Sequence, residues 1–74
     1  MSKSDTVFKE AYNQSLALVV EGSVLPSEAE LARRLGVSRT TVRAILDAQV
    51  AAGLIAWDSR LKQVLRAPRA EDYF

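Results

Sequence analysis

Residues 28–45 read EAELARRLGVSRTTVRAI, and this stretch decides the fold. Apolar residues recur at helical spacing on both sides of Gly36, which can adopt the left-handed conformation of a tight turn. Ala32 is small enough for two helices to cross closely, and Val42 and Ile45 face back from the second helix. This spacing predicts a helix-turn-helix unit, which presents the start of its second helix outward. A plain helical hairpin would share the small residue and the glycine, so the chemistry of the outer face must decide between the two.

Capping residues mark where the two helices of this unit begin. Ser27 is followed three residues later by Glu30, the pattern of a capping box, and predicts a helix over residues 27–35. Ser38 is placed to cap a further helix, which we predict over residues 39–52 because a glycine follows it.

The flanking segments complete the predicted fold. Apolar residues at helical spacing indicate a first helix over residues 6–21, which Gly22 stops. Residues 54–57 and 62–65 are short strand candidates, separated by a possible turn at 58–61. Two strands alone are only marginally stable, so we expect this hairpin to pack on the helices. The predicted fold is mainly α with a small β-hairpin, a winged helix-turn-helix with three helices and a wing.

The two ends of the chain carry weaker signals. Residues 1–5 are polar and are predicted to be a flexible N-terminus, which leaves 6–66 for the winged helix-turn-helix domain. Residues 67–74 contain a proline and several charges without a clear element, and we interpret them as a linker. Tyr73 and Phe74 are aromatic residues of this tail with no evident partner in the sequence.

The composition excludes several function classes. The 74 residues include no histidine and no cysteine, so the commonest general base and the thiolate ligands are both absent. No glycine-rich phosphate loop or nucleophile motif accompanies the scattered carboxylates. We therefore expect no enzymatic activity, no cofactor and no metal site. No apolar run approaches the ~20 residues of a membrane span and no signal-peptide pattern is present, so we expect a cytoplasmic protein without a membrane partner.

Charge is unevenly distributed, although the net charge is only +1. Between residues 33 and 69, eight basic residues are opposed only by Asp47 and Asp58. The basic residues are Arg33, Arg34, Arg39, Arg43, Arg60, Lys62, Arg66 and Arg69. This asymmetry favours a polyanion as partner, and the alternative is a solvated surface that happens to be basic.

Two arginines at the start of the helix over residues 39–52 are the leading DNA-contact candidates. Arg39 and Arg43 lie one turn apart, and either guanidinium could contact a guanine edge with two hydrogen bonds, the commonest specific contact in the major groove. For Arg43 the alternative is an ion pair with Asp47, four residues further on.

Three hydroxyl residues lie beside these arginines. Ser38, Thr40 and Thr41 are short side chains at a helix N-terminus, suited to phosphate oxygens or to a thymine methyl group. A purely structural interpretation is equally open: Ser38 caps the helix and Thr41 faces inward.

The hairpin offers further basic candidates. Arg60, at the predicted tip, could enter a narrow minor groove or could simply face solvent. Lys62 and Arg66 are expected near phosphates rather than bases. Trp57 could stack on bases, but a tryptophan in a two-stranded wing is more often a lid over a small core.

Several short motifs at fixed separations resemble the signature of the GntR family of bacterial transcription regulators. They are Leu25-Pro26-Ser27-Glu28, Glu30-Leu31-Ala32, Leu35-Gly36-Val37-Ser38-Arg39-Thr40-Thr41-Val42-Arg43 and Gly53-Leu54-Ile55. The resemblance implies a winged helix that binds operator DNA as part of a homodimer, with a separate C-terminal domain that binds a small-molecule effector. It also assigns the base contacts to Arg39 and Arg43. Two departures stand out: Gln49 replaces a usual leucine, and the predicted wing tip contains no glycine.

These observations predict sequence-specific binding of double-stranded DNA by a GntR-type regulator, with helix 39–52 reading the major groove. The resemblance further implies a metabolite-responsive repressor in the bacterial cytoplasm, associated with the nucleoid, and makes residues 67–74 a linker toward the effector domain. The alternative is a winged-helix protein-docking module, since a fold does not fix a function. That alternative requires an acidic or apolar outer face, against which Arg39 and Arg43 argue.

Overall fold

The computed structural model describes residues 3–58 and 61–74, which form three helices followed by an antiparallel hairpin. The helices are α1 (Lys3–Ser15), α2 (Glu28–Leu35) and α3 (Arg39–Ala51), and the strands are β1 (Ile55–Asp58) and β2 (Leu61–Val64). Short 3-10 turns cover Leu16–Leu18 and Ala70–Asp72. The predicted fold class, mainly α with a small hairpin, is confirmed. Within the described ranges, no helix combines the length and apolar character needed to cross a membrane.

The helix-turn-helix forms where its capping residues predict it. The Ser27 Oγ accepts the Glu30 backbone N–H at 3.2 Å and begins α2. Gly36 ends α2 with a φ of 69°, in the left-handed region, and its N–H donates to the Ala32 carbonyl at 2.9 Å. The Glu30 carboxylate does not complete a capping box, because it accepts hydrogen bonds from Arg33 and Arg34 instead.

The first helix is shorter than predicted, because α1 ends at Ser15 rather than at residue 21. The Ser15 hydroxyl donates to the Tyr12 carbonyl at 2.6 Å, a local bond of the kind that competes with helix continuation. The chain then tightens into the 3-10 turn and runs beside the hairpin. At its other end α1 begins at Lys3, so residues 3–5 belong to the helix.

The hairpin is shifted by one residue from the predicted strands. Ile55 pairs with Val64 and Asp58 with Leu61, so the outer residues of the predicted turn are already strand. The segment 22–25 runs along the other side of β2. Within it, the Leu25 N–H donates to the Lys62 carbonyl at 2.8 Å, and the Ser23 carbonyl accepts the Val64 N–H at 2.9 Å. Hydrogen bonds on both sides of β2 and apolar packing beneath it fix the hairpin against the helices.

The core lies where the three helices meet the hairpin. Val42 and Ile45, which were predicted to face inward from α3, are fully buried, and so is Leu46. The remaining buried apolar residues are Ala11, Tyr12, Leu16, Val19, Leu25, Leu31, Leu54, Ile55 and Val64. One core, to which all three helices and both strands contribute, holds α2 and α3 at a fixed angle.

Residues 66–74 fold back onto the helices. The Arg66 guanidinium donates to both carboxylate oxygens of Asp72, at 2.8 and 3.0 Å, and to the Ala52 carbonyl at 3.0 Å. Ala52 caps the C-terminal end of α3, where free carbonyls attract a cation. This tail is therefore tied to the end of α3 opposite its exposed start.

Phe74, for which the sequence offered no evident partner, remains largely exposed but contacts α1. The Phe74 ring lies edge-on to Tyr12 with the centroids 5.0 Å apart, and it also contacts Phe8. Asn13 brackets the Phe74 backbone: its amide nitrogen donates to the Phe74 carbonyl at 3.2 Å and its oxygen accepts the Phe74 N–H at 2.9 Å. Sequence inspection missed these contacts because the partners are 61 residues apart.

Candidate nucleic-acid interface

The start of α3 is held by a cap made from its own residues. The Ser38 Oγ accepts the Thr41 N–H at 3.2 Å and lies 3.1 Å from the Thr41 hydroxyl. Ser38 and Thr40 are exposed, whereas Thr41 is half-buried. The cap accounts structurally for Ser38 and Thr41. Thr40 is left as the hydroxyl that projects from the first turn.

Arg39 is the first residue of α3 and is exposed. Within residues 3–58 and 61–74, no hydrogen bond or ion pair engages its guanidinium. The backbone N–H groups of Arg39 and Thr40 also lack acceptors inside the helix, whereas that of Thr41 is taken by the cap. A free guanidinium and free N–H groups at one helix end form a site suited to an anion or a guanine edge.

Arg43 lies one turn after Arg39 on the same face and is held by α2. Its Nε donates to the Glu28 Oε2 at 2.6 Å, with 66% of the arginine side chain and 24% of the glutamate side chain exposed. The hydrogen bond to Glu28 raises the pKa of Arg43. The pair with Asp47 that the sequence also allowed does not form. Arg39, Thr40 and Arg43 together are called the outer face of α3 below.

Glu28 is the member of this site that sequence inspection missed. It is the first residue of α2 and lies 15 positions before Arg43, so no local spacing rule connects the two. Only the crossing of α2 and α3 brings its carboxylate to the outer face. Acidic residues generally favour the first turn of a helix, because they interact well with the helix dipole. This preference explains Glu28 at the start of α2 without any contact to Arg43, so the sequence alone offered no reason to connect the two residues.

Much of the predicted basic half is neutralised. Of the seven basic residues between positions 33 and 69 that the structure describes, four make ion pairs with carboxylates. They are Arg33, Arg34, Arg43 and Arg66. Hydrogen bonds from Arg33 and then Arg34 lower the pKa of Glu30, which keeps its charge in place opposite them. The unpaired positive charge on the described helix-turn-helix is thus concentrated at Arg39.

The hairpin contributes less to the surface than its sequence suggests. Lys62 is only 5% exposed, and its Nζ lies 5.9 Å from the centre of the Trp57 ring. Because a phosphate contact needs an accessible ammonium group, Lys62 in this conformation belongs to the core side of the hairpin. Trp57 is half-buried against the core, as expected of a lid. Arg60 lies outside the described residues.

No group of three or more His, Cys, Asp or Glu residues able to hold a metal ion occurs in the described part of the chain. The start of α3 presents cations, hydroxyls and backbone donors, with the Glu28 carboxylate held against Arg43. These donors suit an acceptor-rich, anionic partner.

Comparisons with known proteins agree with this architecture. The family described as "Bacterial regulatory proteins, gntR family" matches residues 16–60. Among solved structures, YtrA from Sulfolobus acidocaldarius, a GntR-family transcription factor, is 31% identical with a TM-score of 0.66, over 89% of this chain and 61% of its own. PhnF from Mycobacterium smegmatis is 30% identical with a TM-score of 0.61, over 73% of this chain and 24% of its own. A search of curated proteins found no match.

The family match covers more than half of the chain, including both helices of the helix-turn-helix and the first strand of the hairpin. The chain spans about a quarter of the length of PhnF and about three fifths of that of YtrA. It belongs to the GntR family of DNA-binding transcription regulators.

Proposed function

We propose that this domain binds double-stranded DNA sequence-specifically, with the start of α3 in the major groove. The observation that carries the proposal is the exposed, unpaired guanidinium of Arg39 at the first position of α3. The buried stripe of α3 and the crossing with α2 fix the direction in which that residue points. The backbone at Arg39 is therefore positioned before DNA binds, and its guanidinium has no ion pair with a described residue to break before it contacts a base.

Each residue of the outer face has a defined chemistry in this proposal. Arg39 donates two hydrogen bonds to O6 and N7 of a guanine, and Arg43 is placed one turn later for a second guanine. Thr40 contacts a thymine methyl group or a phosphate, and the free N–H groups of the first turn of α3 contact a backbone phosphate. Ser38 and Thr41 act through the cap they form, and Arg60 remains a candidate for the minor groove.

The dimensions of the domain support one half-site per copy. Its longest extent is 34 Å, which does not exceed the ~34–36 Å between the centres of half-sites one helical turn apart. Two copies can therefore lie side by side on DNA, each on one half-site. On the same proposal, two copies in a homodimeric regulator read a palindrome, since two-fold protein symmetry imposes two-fold operator symmetry. The longer chains of PhnF and YtrA support a further C-terminal domain, to which we assign binding of a small-molecule effector. We place the whole regulator, a repressor, in the bacterial cytoplasm at the nucleoid.

The test is binding-site selection from a random duplex pool, with the parent protein and Arg39→Ala in parallel. Arg69→Ala serves as the matched control, because Arg69 is exposed but belongs to the tail at the other end of α3. We expect the parent and the control to enrich the same short motif. Arg39→Ala should lose about 1–3 kcal/mol on that motif and relax the preference at one base pair.

Two outcomes would count against the proposal. If the parent protein binds the pool without enriching any motif, the basic surface binds DNA only non-specifically. A parent that fails to bind even at low salt, where phosphate contacts are strongest, would favour the protein-docking module instead.

A further inference from the structure

The ion pair between Glu28 and Arg43 connects the beginning of α2 to the outer face of α3. Its Nε–Oε2 distance is 2.6 Å, and the arginine remains two-thirds exposed while the glutamate is largely covered. The Glu28 carboxylate is thus held by its surroundings, whereas the Arg43 guanidinium remains open to solvent. Arg33 and Arg34, the two cations of α2, bind Glu30 and leave Glu28 to Arg43.

The atoms used in this bond determine which edge of Arg43 remains available. A guanidinium can donate two parallel hydrogen bonds from its side edge, which includes Nε, or from its terminal edge, formed by the two Nη groups. Glu28 engages Nε. The terminal edge is therefore left to present two donors side by side, which matches the O6 and N7 acceptors of guanine.

The same bond limits what else Arg43 can do. A free arginine has large rotamer entropy and can reach toward any nearby phosphate, which gives affinity without sequence information. Anchored at Nε, the side chain loses that freedom before DNA arrives. The Glu28 carboxylate also places a negative charge next to the region where phosphates approach. This charge weakens non-specific DNA binding, in which Arg43 contacts no guanine.

We propose that Glu28 is a specificity-determining positioning residue, which holds Arg43 so that its terminal edge reads a guanine and whose charge disfavours non-specific DNA. The inference rests on the proposed function, sequence-specific DNA binding through α3. It predicts that removing Glu28 raises general affinity for DNA while lowering discrimination at one base pair.

The experiment compares Glu28→Ala with Glu10→Ala, which removes the same charge from an exposed position on α1. The motif is first selected with the parent protein, and the base pair whose preference Arg43→Ala abolishes is identified. Equilibrium binding is then measured to the selected duplex, to that duplex mutated at this base pair, and to a scrambled duplex. Thermal unfolding of each variant checks that the fold is retained.

We expect Glu28→Ala to bind the scrambled duplex more tightly than Glu10→Ala does, and to lose about tenfold in preference at the Arg43 base pair. In the double variant Glu28→Ala/Arg43→Ala, the loss of preference should be no larger than in Arg43→Ala alone, because Glu28 acts through Arg43. A residue that merely stabilised the fold would lower binding to all three duplexes alike.

The failure of this inference differs from the failure of the proposed function. If the parent selects a motif but Glu28→Ala keeps the full preference at the Arg43 base pair, the role assigned to Glu28 is contradicted while the proposed function stands. The same holds if Arg43→Ala changes no base preference. If the parent selects no motif, both fall together.

Discussion

At the scale of single residues, Gln49 shows how a polar side chain is accommodated in this small core. The residue is 1% exposed, and its Nε2 donates to the Ser15 Oγ at 2.7 Å. Ser15 in turn donates to the Tyr12 carbonyl. A buried polar group is costly only when it is left without a partner. This short chain of hydrogen bonds therefore joins the middle of α3 to the end of α1 without a large penalty.

We expect Gln49→Leu to lower the free energy of unfolding by about 1–2 kcal/mol, because the Ser15 hydroxyl loses its buried donor. The double variant Ser15→Ala/Gln49→Leu should regain part of that loss, since both partners are then apolar. Equilibrium unfolding in urea, with the single variant Ser15→Ala included, measures the coupling. Strictly additive losses would show that the two side chains do not interact.

The residues that could be predicted from sequence are those whose role follows from local spacing. Ser27, Gly36 and Ser38 act on neighbours within four positions, and the structure confirms their places in the caps and the turn. Glu28 and Gln49 could not be assigned in the same way. Their partners lie 15 and 34 positions away, and only the packing of the helices brings them together.

At the scale of elements, the cap of α3 carries both the stability and the orientation of the outer face. Ser38→Ala should lower the free energy of unfolding by about 1 kcal/mol, whereas Ser38→Asp should keep the parent stability because aspartate caps as well as serine. The added charge should nevertheless weaken binding to every duplex by opposing phosphate. Thermal unfolding and equilibrium binding of both variants separate the two effects. A Ser38→Asp variant as unstable as Ser38→Ala would contradict the capping role of the Ser38 side chain.

The tail is the second element whose role is visible in the structure. Hydrogen bonds from Arg66, together with one from the Arg69 backbone, lower the pKa of Asp72 to about 2. Since the pKa of this carboxyl in the unfolded chain is about 4, the folded state binds its proton more weakly than the unfolded state does. The stabilisation from Asp72 is therefore complete above about pH 5 and is lost as the pH falls from about 4 to about 2.

Asp72→Asn should accordingly have a lower free energy of unfolding than the parent at neutral pH. This difference in free energy should shrink as the pH falls from about 4 to about 2. Urea unfolding at a series of pH values between about 7 and about 2.5 measures it. Asp47→Asn, an exposed aspartate on α3 without a hydrogen-bond partner among the described residues, is the control. A stability difference for Asp72→Asn that stays constant over the whole range would contradict the assigned ion pair.

The elements that sequence predicted best are α2 and α3, whose ends are marked by caps and glycines. The end of α1 and the packing of the tail were not predictable in this way. Val19 and Val20 continue the apolar spacing of α1, but the chain there leaves the helix to run beside β2. That choice depends on hydrogen bonds to Val64, more than 40 residues further on, which no local pattern reveals.

At the scale of the whole molecule, charge is organised by pairing rather than by composition. The sequence predicts a basic half, yet carboxylates from α2 and the tail neutralise four of its cations. The guanidinium of Arg39, which pairs with no residue that the structure describes, then lies at the exposed start of α3. Such an arrangement favours selective contact with bases over general attraction to phosphate, because the latter grows with the number of free cations.

The measurement that tests this account most directly is the ratio of the Kd for a scrambled duplex to the Kd for the selected duplex. It is taken with the parent protein and with Arg39→Ala, from ~50 to ~200 mM salt. We predict that both Kd values of the parent rise with salt while their ratio stays well above one, and that Arg39→Ala reduces the ratio by about fivefold or more. A parent ratio near one, or a ratio unchanged by Arg39→Ala, would contradict base reading by the start of α3.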